Sequence, residues 1–152
     1  MVALLAAGAW LGSGCQSPKG PGGSSLAFIV VKASGPLAAA RTVSEVFQEA
    51  GYRPVPQPPS EDLRLVFEKP GGSGDTLLYG DFHGRSVWYK VRVHLEVLDG
   101  ETILLSCNAF RVLDHGDAHF ETEQRLSHAR KGECRALLAK VKARLEASAD
   151  QK

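Results

Sequence analysis

From Val87 to Leu98 polar and apolar side chains alternate without a break. Tyr89, Val91, Val93, Leu95 and Val97 fall on one side, and Trp88, Lys90, Arg92, His94 and Glu96 on the other. A period of two is what a strand with one face in a core requires. The run ends at Asp99-Gly100, and register decides which turn fits. A two-residue loop would set Val93 opposite Ser106 and mix apolar with polar across one face. A three-residue loop, Leu98 to Gly100, predicts Leu95 opposite Ile103, Val93 opposite Leu105 and Val91 opposite Cys107, with Gly100 left-handed.

The remaining elements follow from similar patterns. Leu26 to Lys32 is a β-branched run of strand length. Pro36, preceded by Ser34 or Gly35 as cap, opens a segment with Leu37, Ala40, Val43, Phe47 and Ala50 at helical spacing, closed by Gly51. Pro54, Pro56, Pro58 and Pro59 make Tyr52 to Glu61 a stiff connection. Leu63, Leu65 and Phe67 alternate with polar neighbours as a second strand, ended by Pro70-Gly71-Gly72-Ser73-Gly74. Thr76 to Phe82 follows, turned by His83-Gly84. Asp114 to Asp117 reads as a tight turn, with Phe120, Thr122, Gln124 and Leu126 alternating beyond it as a further hairpin strand. From Lys131, Cys134, Leu137, Leu138, Val141 and Leu145 recur at helical spacing. The expected fold is α+β, a mostly antiparallel sheet of four to five strands with two helices on one face, in the order strand, helix, strands, helix.

The beginning of the chain follows another logic. Val2 to Leu11 is uncharged and apolar, too short for a stable membrane-crossing helix but of the length of a signal-peptide core. Gly12, Ser13 and Gly14 lead to Cys15. This run with L-G-S-G-C resembles the lipobox of bacterial lipoproteins, although Gly12 stands where that family usually has leucine and no basic residues precede the run. The resemblance implies cleavage before Cys15, acylation of that cysteine and export to the cell envelope. Gln16, rather than aspartate, leans towards the outer membrane in a cell that has one. Ser17 to Ser25, built of Pro, Gly and Ser with one Lys, reads as a tether. The expected division is a leader at 1–14, lipidated Cys15 and tether at 15–25, and one domain at 26–149. The expected location is the cell envelope, with the membrane as partner through the lipid.

Charge narrows the partners. Lys and Arg number 18 against 17 Asp and Glu, so nothing electrostatic points to nucleic acid. The 43% apolar and 23% charged composition is that of a globular domain.

Candidate chemistry is sparse. With Cys15 lipidated, Cys107 and Cys134 remain, an even pair on two predicted core faces. In an oxidising compartment they invite a disulfide; two buried thiols are the alternative. Asp114, His115, Asp117 and His119 crowd one turn and offer the sole cluster of metal-type ligands, without the spacing that imposes a coordination geometry. His83, His94 and His128 are scattered. Gly71 to Gly74 lacks the Lys-Ser/Thr pair and helix of a phosphate loop, and no G-x-S-x-G elbow occurs. No cofactor is implied. The expected register sets Trp88 opposite Phe110, His94 opposite Leu104 and Arg92 opposite Ser106. The sheet's second face therefore predicts a partner-binding surface of Trp88, Arg92, Leu104 and Phe110. The expectation is a non-enzymatic binding or assembly accessory module, with an envelope protein as partner. The alternatives are a metal-dependent or His/Asp enzyme on the 114–119 turn and a small-ligand carrier with a cavity between sheet and helices.

Overall fold

The computed structural model describes residues 25–58, 63–80 and 86–149. The leader, Cys15 and the His83-Gly84 turn lie outside the described residues. The element order is β1 (Ala27–Lys32), α1 (Pro36–Glu49), β2 (Arg53–Val55), β3 (Arg64–Pro70), α2 (Ser73–Tyr79), β4 (Val87–Val97), β5 (Thr102–Leu113), β6 (Thr122–Arg125) and α3 (Lys131–Ala149). The fold is α+β. Its six strands form one antiparallel sheet in the order β1-β5-β4-β3-β2, with β6 also paired to β5. Sheet and helix count both exceed the expectation: β2 is an added strand, and α2 stands where Thr76 to Phe82 was expected to run as a strand.

Each difference has a local cause. Pro54 does not exclude pairing, because β2 is a short edge strand on β3 and an edge position can do without one N–H. The Gly-rich stretch after β3 serves the start of α2: Gly71 N donates to Val87 O at 2.8 Å. A Cβ on Gly71 would lie 2.9 Å from that same oxygen. Gly72 N then donates to the Asp75 carboxylate at 2.9 Å, which anchors the first turn of α2.

The β4–β5 hairpin keeps the predicted faces but slides by two residues. Leu95 pairs with Leu105, Val93 with Cys107 and Val91 with Ala109. The loop is Asp99 to Glu101, since Leu98 N donates to Thr102 O and Asp99 Oδ1 accepts from Glu101 N and Thr102 N at 3.2 and 2.7 Å. That aspartate closes the turn, and Gly100 is not left-handed. Trp88 consequently faces Val112 rather than Phe110, His94 faces Ser106 rather than Leu104, and Arg92 faces Asn108 rather than Ser106.

α1 and α3 cover one face of the sheet. Pro36 occupies the first turn of α1, and Gly51, at φ 84, ends it. The buried stripe of α1 is Ala39, Val43, Val46 and Phe47, rotated from the expected one so that Leu37 is left 77% exposed. α3 buries Cys134, Leu137, Leu138, Val141 and Leu145. Between helices and sheet, Phe47 stacks on Phe67 at 4.8 Å, and Val91, Val93, Leu105 and Cys107 complete the core.

Candidate functional site

The sheet face away from α1 and α3 is built chiefly by alternate residues of β1, β3, β4 and β5. β4 supplies Trp88, Lys90, Arg92 and His94; β3 supplies Arg64, Val66 and Glu68; β5 supplies Leu104, Ser106, Asn108, Phe110 and Val112; β1 supplies Phe28 and Val30. It divides into two regions.

One region is closed by the segment between β5 and β6, which turns back over the sheet. Asp114 (φ 55) and Gly116 (φ 86) take left-handed backbone, and Asp117 N donates to Asp114 O at 3.0 Å. Asp117 Oδ1 accepts from His119 N and Phe120 N, while Gly116 N donates to Glu121 Oε2 at 2.8 Å. This fold-back stacks the His115 ring on Trp88 at 4.2 Å and sets its Nε2 2.8 Å from Glu68 Oε2. Beside it, Lys90 Nζ meets Glu123 at 2.6 Å and both Glu121 and Glu68 at 3.3 Å. Arg92 joins through Glu123 and lies over the Phe110 ring at 4.3 Å. Burial disfavours the Lys90 charge, but its hydrogen bonds to Glu123 and Glu121 outweigh that and raise its pKa. Glu121 is held below the ordinary carboxylate value, chiefly by the Gly116 N–H.

The turn therefore does not gather Asp114, His115, Asp117 and His119 around a common centre: Asp117 is spent on backbone N–H groups and His115 on Glu68 and Trp88. Among the described residues no group of three or more His, Cys, Asp or Glu side chains could hold a metal ion. The predicted partner surface is also corrected. Leu104 is fully buried, and Trp88 and Phe110 are partly covered by His115 and Arg92. Sequence alone missed the cover because nothing in D-H-G-D reveals which way a turn folds.

The other region is open. Phe28 and Val30 on β1 are 53% and 40% exposed, beside half-buried His94, which pairs with Ser106 and Arg64. β1 stands at the end of the strand order, so one edge of it has no described neighbour.

A second polar group, unforeseen from sequence, sits on the helix side where α3 begins. Tyr89 donates to Asp75 Oδ1 at 2.6 Å and carries the Arg130 guanidinium over its ring at 3.4 Å. Arg130, at φ 64, also binds Glu133, which accepts from the Tyr52 hydroxyl at 3.0 Å. Burial and the neighbouring carboxylates raise both phenols, Tyr52 beside Glu133 and Tyr89 beside Asp75, so both remain proton donors. The signal available was Tyr89 on a core face, where a buried hydroxyl needs a partner. Cys107 and Cys134 lie next to this group, both buried and free. The interaction between the two thiols, with burial, pushes Cys107 up, and the same interaction lowers Cys134.

The space between sheet and helices is filled by Phe47, Phe67, Val43 and Leu138. The grooves lie at the rim, one of about 320 Å³ between α1 and the β2–β3 edge and one of about 530 Å³ between α1 and the end of α3. Among the described residues no helix is long and apolar enough to cross a membrane. The chain matches no protein-family model, no curated protein and no solved structure.

Proposed function

We propose that this chain is a lipid-anchored, non-enzymatic module of the cell envelope, tethered through Cys15 and binding a protein partner on its open sheet region. The anchor rests on the sequence: an apolar run, small residues, a cysteine and a Pro/Gly/Ser stretch, followed by a folded domain. The observation that carries the binding function is the contrast between the two halves of one face. Trp88, Lys90 and Phe110 are covered from within the chain, whereas Phe28 and Val30 are left exposed on an edge strand. An edge strand with alternate apolar side chains on one face is the surface to which an extended partner segment adds as a further strand.

The test is a photo-crosslinking residue at position 28 in the membrane-bound protein, beside one at position 37 on the exposed start of α1. A defined product from 28 and none from 37 is expected. Equal or absent crosslinking at 28 overturns the binding surface. Intact mass of membrane-extracted protein, with Cys15→Ala alongside, tests the anchor separately: an acylated chain starting at Cys15 is expected, and an unprocessed soluble chain overturns it.

A further inference from the structure

The two margins of the sheet are built differently. β2, at one end of the strand order, has three residues and carries Arg53 and Pro54, the short, charged and proline-bearing make of an edge that resists a further strand. β1, at the other end, has six residues in unbroken register with β5, and contains no proline, no glycine and one charge, Lys32, at its last position. Ala33 N donates to Glu101 O at 2.9 Å. Bonded and non-bonded residues alternate along an antiparallel pair, so the N–H and C=O groups of Phe28, Val30 and Lys32 point away from β5, to the side with no described neighbour. The side chains of Phe28 and Val30 stand exposed on the face away from the helices.

What overhangs this edge sets the chemistry of the strand it would take. α3 packs on β1 and against α1. Cys134, Leu137, Leu138, Val141 and Leu145 turn to the core, while Glu133 and Arg144 reach Tyr52 and Glu49 on the α1 side. At about 100° per residue, Lys131, Arg135 and Lys142 fall on the opposite flank, the one that looks out past β1. One carboxylate, Glu146, accompanies them, ion-paired with Lys142 at 3.7 Å. A strand added to β1 would lie beneath this flank, so that its side chains on the helix side meet net positive charge and those on the other side meet Phe28 and Val30. A second copy does not suit the site, because pairing β1 with its own copy across a two-fold axis sets two basic flanks against each other. Resting on the reading of β1 as the binding edge, we propose that the partner segment is an extended stretch of alternating apolar and acidic residues. Its apolar side chains lie beside Phe28 and Val30, and its carboxylates lie beneath Arg135 and Lys142.

The test titrates the full chain in detergent with two short synthetic peptides, one alternating valine and glutamate and the other valine and lysine, and follows backbone amide exchange at Phe28 and Val30. The expected result is slowed exchange at both residues with the glutamate peptide, and binding at least about tenfold weaker for the lysine peptide. Arg135→Glu/Lys142→Glu, with an unchanged melting curve, is expected to reverse the preference; if that variant melts early, the two peptides on the unaltered chain decide. Equal binding of the two peptides, or a preference that survives the double substitution, overturns the acidic class, and slowed exchange at Phe28 with both peptides leaves the edge standing. Binding of neither peptide also overturns the class: a crosslink from position 28 then keeps the edge as a binding surface, and no crosslink removes both. A dimer in detergent that is lost in Phe28→Asp assigns the edge to a second copy and equally overturns the acidic partner.

Discussion

Lys90 faces three carboxylates, and each lies within 3.3 Å of its ammonium. Removing the cation would leave Glu68, Glu121 and Glu123 repelling one another in a half-buried site. Lys90→Met is therefore expected to destabilise the domain by about 1–3 kcal/mol at neutral pH. The loss should shrink at about pH 4, where carboxylates begin to take protons; denaturant unfolding at the two pH values checks this. Asp75 and Glu121 set the acid side. Asp75 is lowered by the Tyr89 hydrogen bond and Glu121 by the Gly116 N–H, from ordinary values of 3.8 and 4.5. A depressed carboxylate contributes stability that is present above its unfolded pKa and disappears as pH falls through the folded value. Lys90, raised from 10.5, acts in the opposite sense: its contribution is complete below that value and disappears as pH rises through the folded one. Thermal midpoints should accordingly fall at both extremes, and Asp75→Asn with Glu121→Gln should flatten the acid limb and, because Glu121 also raises Lys90, soften the alkaline one.

At the scale of elements, the helices are unequal in what they contribute. Phe47 is fully buried against Phe67, whereas Leu37 on the same helix is exposed. Phe47→Ala is expected to cost about 3–5 kcal/mol and Leu37→Ala within about 0.5 kcal/mol, measured by chemical denaturation. This pair tests the rotation of the α1 face, which the sequence left ambiguous because Ala38, Ala39 and Ala40 fit either side. Strand faces were legible, since a period of two leaves no second solution for Tyr89, Val91, Val93 and Leu95. Their partners were not, because shifting the hairpin by two preserves every face and Asp99, a side-chain cap, decides between the registers. β2 was hidden by its prolines and α2 by the glycines before it. Of the candidate site, the composition of the face could be read in β4, but the fold-back that covers Trp88 depends on Glu68, far away in sequence. The burial of Leu104 likewise depends on the pairing of β1 with β5.

At the scale of the whole molecule, Cys107 on β5 and Cys134 on α3 are two buried free thiols on the elements at either side of the core. In an oxidising compartment a disulfide substrate of the exchange type would accept their two hydrogens and close the loop between them. Protein recovered from an oxidising compartment is expected to gain the mass of two hydrogens on reduction. The bond would add roughly 3–4 kcal/mol in the chain-entropy model, so Cys134→Ser should remove the reductant sensitivity of the melting temperature. Recovery of both thiols free from that compartment would refute it. The antiparallel pairing of β1 with β5 also has a mechanical consequence. A pull entering at Leu26 and opposed at the end of the sheet where Lys32 pairs with Thr102 is directed along β1. The hydrogen bonds from Ala27 to Lys32 then share the load in shear, and are not broken singly as they would be in a zipper.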